Sequence, residues 1–226
     1  MTIEERLRDV RSRIAGAAER AGRDANDITL IAVSKTFPSH VIAEALDSGI
    51  VDLGENRAQE LKEKAAVLGP RPRWHFIGHL QTNKVRQVVG IASVIHSVDR
   101  VGLGEAISRR AETLGITQDV LIEVNISGED SKHGLEPPQA LPLAEELATF
   151  PNLRVRGLMT IPPYPEKAED SRPLYQDLAR LAEALRSRWP GATELSMGMT
   201  RDFEVAVEEG ATMVRVGEAL FGPRTR

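Results

Sequence analysis

The chain contains no cysteine. That excludes disulfides, thiolate metal sites and a cysteine nucleophile, and it is compatible with a reducing cytosol. No apolar run approaches the ~20 residues of a membrane span. The N-terminal stretch MTIEERLRDVRSRIAGAAER lacks the apolar core of a secretory signal. The expectation is a cytoplasmic protein without a membrane partner. Neither sign of charge dominates: 29 basic against 33 acidic residues leave a net charge of −4, which argues against nucleic-acid binding. No linker, charge block or low-complexity run divides the 226 residues, so residues 1–226 read as one domain. Metal ligands are also sparse. His75 and His79 stand four apart in HFIGH, but on a strand that spacing separates them by about 13 Å. His40, His96 and His133 show no evident partner in the sequence, and a metal site is not expected.

What is present is a regular alternation. Ile3, Leu7, Val10, Ile14, Ala17 and Ala21 recur at helical spacing, with Thr2 and Glu5 as a capping box and Gly22 as a stop. Strands are predicted over 28–34, 51–55, 74–78, 93–97, 119–126, 153–159, 193–197 and 212–216. Helices are predicted between them over 40–48, 57–68, 82–89, 101–114, 138–149, 168–188 and 201–209. Eight strands alternating with helices imply a parallel sheet, and in this length an α/β fold of the (β/α)8 TIM-barrel type with an extra N-terminal helix. An open doubly wound sheet is the rival. It would usually carry a phosphate-binding glycine fingerprint after its first strand, and SKTFPSH has no glycine. Two longer connections, 127–138 and 160–170, follow strand C-termini, where barrels build their sites.

The C-terminal ends of the predicted strands carry a polar ring. Lys35 ends the first strand, on the face of Ile31 and Val33, which puts an amine at the mouth of a barrel. Partial desolvation there lowers a lysine pKa and makes the amine nucleophilic toward carbonyls. A lysine snorkelling from a strand end is the plainer reading. ELSMGMTRDFE (194–204) and MVRVGEALFG (213–222) occupy the loops after strands 7 and 8, a common phosphate position of this fold. Gly198 and Gly217 let backbone N–H groups approach an anion, and Ser196 and Thr200 add hydroxyls; tight turns alone would also explain the glycines. Arg215, on the strand itself, needs an acceptor: a core carboxylate, a ligand anion or a ring nitrogen. A lysine opposite a phosphate cradle suits either a sugar-phosphate aldolase or a pyridoxal 5′-phosphate (PLP) protein.

AVSKTFP (32–38), LGENRAQELKEK (53–64), WHFIGHLQTNK (74–84), SVDR (97–100), LIEVNISGEDSKHG (121–134), GLMTIPP (157–163) and LSMGMTRDFEVAVEEGATMVRVGEALFG (195–222) run almost end to end in one order. In this combination the chain resembles the pyridoxal phosphate homeostasis proteins. The resemblance implies a barrel similar to the N-terminal domain of alanine racemase and other fold-type III PLP enzymes. It implies PLP held as a Schiff base on Lys35. Ser196, Met199, Thr200, Gly217 and Glu218 would surround the phosphate, the last two through backbone N–H. Arg215 would face the pyridine nitrogen, and Asn56 and Met159 would line the ring. It further implies a monomer that binds PLP, regulates vitamin B6 supply and amino- and keto-acid balance, and serves PLP-dependent apoenzymes or B6-metabolising enzymes. No catalysis is expected. An arginine donor leaves the ring nitrogen unprotonated and weakens the electron sink, and the chain ends soon after strand 8, where racemases continue into a domain bearing a second base. The alternative is an amino-acid racemase or aldolase with a base from the 127–138 or 160–170 loop.

Overall fold

The computed structural model describes residues 1–129 and 132–223. It is a closed barrel of eight parallel strands in sequential order, each paired with its chain neighbours and β8 with β1. The strands are β1 (Thr29–Val33), β2 (Asp52–Glu55), β3 (Arg73–Phe76), β4 (Ala92–Val98), β5 (Gln118–Glu123), β6 (Leu153–Met159), β7 (Glu194–Ser196) and β8 (Met213–Val216). Helix α1 (Ile3–Arg20) precedes them. The others are α2 (Ser39–Asp47), α3 (Ala58–Leu68), α4 (Val85–Val88), α5 (Val101–Leu114), α6 (Ala140–Leu147), α7 (Arg172–Arg188), α8 (Phe203–Glu208) and α9 (Glu218–Phe221). Among the described residues, no helix is long and apolar enough to cross a membrane.

Local chemistry explains these elements. The Thr2 hydroxyl accepts from Glu5 N–H at 3.1 Å and the Glu5 carboxylate from Thr2 N–H at 2.8 Å, closing the capping box of α1. The buried stripe Leu7, Val10, Ile14, Ala17 and Ala18 lays that helix on the barrel wall. Arg13 donates to Glu204 of α8 at 2.7 Å and stacks over Phe203. The segments expected as helices over 82–89, 138–149 and 168–188 each begin with a 3-10 turn instead, over Thr82–Lys84, Pro137–Gln139 and Ala168–Ser171. In the second of these, two prolines occupy the first turn, where an N–H would have no intrahelical acceptor.

Two cores result. A large apolar layer lies between strands and helices, and a separate small cluster, Ile31, Val94, Leu121, Met159 and Met213, lies in the lumen. Closure at β6–β7 requires a residue without a Cβ. Gly157 pairs with Glu194, and a Cβ there would stand 1.8 Å from the Glu194 carbonyl oxygen. Side chains two positions on from the lumen cluster turn to the same face. His96, Glu123 and Arg215 therefore stand in the upper lumen, all buried. Burial, together with the Asp99 charge, pushes the Glu123 carboxyl up to about 7 against the pull of Arg215. Its Oε2 has no hydrogen-bond partner among the described residues.

Two outcomes are expected. Gly157→Ala cannot close the β6–β7 pair without displacing backbone and will cost about 3 kcal/mol in urea unfolding. Glu123 keeps a proton in the folded chain that the unfolded chain releases above pH 4.5. Its contribution is therefore lost as pH rises from 4.5 through 7, by up to about 3 kcal/mol. Unfolding of Glu123→Gln across that window will show this decline removed relative to the parent.

Candidate functional site

A cavity of about 650 Å3 opens at the C-terminal mouth of the barrel. Its wall includes Lys35, Asn56, Met199, Thr200, Arg215, Gly217 and Glu218, contributed by β1, β2 and the turns around β7 and β8. Tertiary structure thus gathers seven of the nine residues singled out in the sequence. The other two lie below it. Met159 is packed in the lumen cluster and fully buried. Ser196 is also fully buried, its hydroxyl spent between Arg215 and His96.

Lys35 is positioned by its neighbours in the chain. Ser34 N–H donates to the Gly54 carbonyl at 3.0 Å and the Ser34 hydroxyl to Glu55 at 2.7 Å. The buried Lys64 ammonium, reaching from α3, donates to the Ser34 carbonyl at 2.8 Å and to Glu55 at 2.6 Å. On the other side Thr36 N–H donates to Glu60 at 3.0 Å, and Glu60 also accepts from Lys64. Thr36 sits at φ +72°, the only described residue other than glycine in that region, at a cost of about 1–2 kcal/mol. The strained turn and the Glu55–Lys64–Glu60 cluster together fix where β1 ends. Burial raises the Glu55 pKa, while hydrogen bonds from Lys64 and Ser34 oppose it.

The neighbouring wall, where β8 pairs with β1, is built by two adjoining loops. Arg215 N–H donates to the Gly198 carbonyl at 3.0 Å, joining them. Gly198 adopts φ +88°, and a Cβ there would stand 2.9 Å from the Phe203 Cα, so glycine alone lets the loop lie on α8. Asp202 organises the turn by accepting from Met199 N–H at 2.7 Å and from the hydroxyls of Ser171 and Tyr175 at 2.8 Å each. The Met199 N–H is therefore already used. Burial first, and then the Asp202 charge, raise the Tyr175 pKa. At helix starts such as α9, first-turn N–H groups have no intrahelical acceptor, and Gly217 and Glu218 present that edge to the cavity.

Arg215 forms the floor. It is 3% exposed and donates to the Ser196 hydroxyl at 2.6 Å and to the Thr160 carbonyl at 2.7 Å, both neutral oxygens. The core carboxylate partner considered from the sequence is not among these bonds. Burial lowers its pKa, countered by Tyr175, Glu123 and Asp202.

Some neighbours of the site have no local signature in the sequence. Arg201 stacks over Tyr164 at 4.1 Å, and both line the mouth, as do Ile161 and Pro165 of the 160–170 connection. His133 of the 127–138 connection stacks on His79 at 4.3 Å; residues 130 and 131 of that connection lie outside the described residues. Two expectations are corrected here. His133 does have a partner, and so does His96, which meets His75 in the lumen at 2.9 Å. Such pairs join residues 21 or more positions apart, which no local pattern reveals. Burial, with His133 nearby, lowers the His79 pKa. His75 and His79 are not brought together, and among the described residues no group of three or more His, Asp or Glu could hold a metal ion.

Residues 6–225 match the family model described as alanine racemase, N-terminal domain. The chain is 50% identical over 226 residues, 99% of both chains, to the pyridoxal phosphate homeostasis protein of Aquifex aeolicus. It is 44% identical to the Pseudomonas aeruginosa protein of the same name, over 99% of this chain and 96% of that one. Among solved structures, PipY of Synechococcus elongatus with PLP bound superposes with a TM-score of 0.85 at 36% identity, covering 98% of this chain and all of that one. Alanine racemase of Clostridium difficile shares the fold at 15% identity and a TM-score of 0.76, over 98% of this chain and 58% of its own. This chain belongs to the pyridoxal phosphate homeostasis protein family and carries the alanine racemase N-terminal fold.

Proposed function

We propose that the chain binds PLP at the mouth of the barrel, holds it as a Schiff base on Lys35, and takes part in PLP homeostasis without catalysing a reaction on amino acids. The observation that carries this reading is the convergence of Lys35, Arg215, Met199, Thr200, Gly217 and Glu218 on one cavity. Its volume, about 650 Å3, suits a small cofactor. PLP supplies an aldehyde for a lysine amine and a ring that acts as an electron sink when its nitrogen is protonated.

The chain's own residues have distinct roles in this reading. Lys35 holds the aldehyde end. Thr200 and the backbone N–H groups of Gly217 and Glu218 receive the phosphate, with Met199 beside it. Ser196 acts from below, through Arg215, rather than at the phosphate. Asn56 flanks the ring, and Met159 supports the floor. Arg215 donates to the ring nitrogen and keeps a proton off it, because a guanidinium gives hydrogen bonds and does not lose its charge. That weakens the electron sink and favours storage over chemistry. A monomer that supplies PLP-dependent apoenzymes belongs to the same proposal.

Purified protein with added PLP should show a visible absorption band that borohydride abolishes, leaving a stable adduct that peptide mapping finds on Lys35. Lys35→Ala should lose the band and the adduct; a reducible adduct elsewhere would refute the assignment. Deuterium exchange at Cα of a panel of amino acids in D2O should run no faster than with free PLP. Turnover well above that would identify a racemase or aldolase.

A further inference from the structure

Beneath the cavity, five side chains from five strands form one line through the barrel. Arg215 Nη1 donates to Ser196 Oγ at 2.6 Å, and Ser196 Oγ lies 3.0 Å from His96 Nδ1. His96 Nε2 lies 2.9 Å from His75 Nδ1, and His75 Nε2 lies 2.9 Å from Asp52 Oδ1. Asp52 Oδ2 accepts from Arg73 Nη2 at 2.7 Å, where both residues border a second cavity at the opposite end of the barrel. All five members, from Arg215 to Asp52, are at most 6% exposed.

The direction of every bond follows from counting hydrogens. An arginine only donates. Ser196 Oγ therefore accepts from Arg215, and its own hydrogen goes to its other partner, His96 Nδ1. Burial first, then His75 and Arg215, hold the His96 pKa well below the usual histidine value, so the ring is neutral. A neutral ring that accepts at Nδ1 carries its proton on Nε2, and that proton points to His75 Nδ1. His75 in turn donates from Nε2 to Asp52. Burial alone would raise the Asp52 pKa, but hydrogen bonds from His75 and Arg73 hold it low, so the chain ends on a carboxylate. A Ser-His-His-Asp order of this kind suggests a nucleophile, but Ser196 is fully buried and its oxygen already accepts from Arg215.

We propose that Ser196, His96, His75 and Asp52 are positioning residues for Arg215. Their one-way chain of donors aims the guanidinium at the ring-nitrogen contact and links it to a carboxylate at the far end of the lumen. The guanidinium's bonds to Ser196 and Thr160 are to neutral oxygens, so this chain is its hydrogen-bonded path to a formal negative charge. The ring-nitrogen role rests on the PLP reading above; the chain itself does not.

Two measurements separate the two. In protein without PLP, 15N spectra of labelled histidine at pH 7 should show His75 and His96 both neutral with the proton on Nε2. A charged ring, or either proton on Nδ1, would overturn the directional chain whether or not PLP binds. With PLP, His96→Leu should weaken binding about tenfold or more and move the visible absorption maximum. His96→Gln, whose amide both accepts and donates, should restore the parent maximum and bring affinity to within about threefold. A packing role alone would lower thermal stability and leave the maximum in place, and that result, or a Gln variant no better than Leu, would overturn the positioning role. Parent protein that binds no PLP would refute the PLP reading and the ring-nitrogen role together, while the 15N result still decides whether the chain exists.

Discussion

A closed parallel barrel turns every second side chain of each strand into a lumen sealed from water, and a polar group placed there must find its partner inside. That constraint organises this molecule. An apolar cluster of Ile31, Val94, Leu121, Met159 and Met213 occupies part of the lumen, beside a buried polar line that ends on Asp52. The upper lumen holds a buried cation, Arg215, which donates to the Thr160 carbonyl and to Ser196, the first member of the polar line below it. A guanidinium in such a place is costly unless its donors are all directed. The same fixed geometry that satisfies it also makes it a rigid floor for the mouth.

The lysine wall answers a second constraint, the placement of a long and mobile side chain. Lys35 lies just past the last residue of β1, where a chain leaving a sheet is ordinarily least defined. Here Ser34 and Thr36 on either side are tied to Glu55, Lys64 and Glu60, and Thr36 is held in a left-handed conformation. Strain of this kind persists where surrounding bonds over-determine the backbone. Two buried clusters of opposite construction thus support the cavity from neighbouring strands: an ion-paired one behind Lys35 and a hydrogen-bond line behind Arg215. Either can hold its side chain without the other, which suits a site that grips one ligand at two ends.

Much of this was legible in the sequence because it is local. Period-2 and helical spacing located the eight strands and the helices between them to within a few residues. The Thr2–Glu5 cap was found as predicted. Strand alternation put Lys35 on the Ile31 face, and loop position marked Gly198 and Gly217. The misses share one cause. The partners of His96 and His133, the burial of Ser196 and the stacking of Arg201 on Tyr164 all join segments distant in the chain.

Which segments form strands and helices, the order in which they follow, and which polar residues fall at strand ends can be read along the chain. Those properties are carried by hydrophobic period, turn chemistry and caps, each set within a few residues. Which of those polar residues meet depends on how the strands close. His96 and Ser196 stand 100 positions apart and still share a hydrogen bond, because closing eight strands into a ring brings the middle and the end of the chain to one lumen.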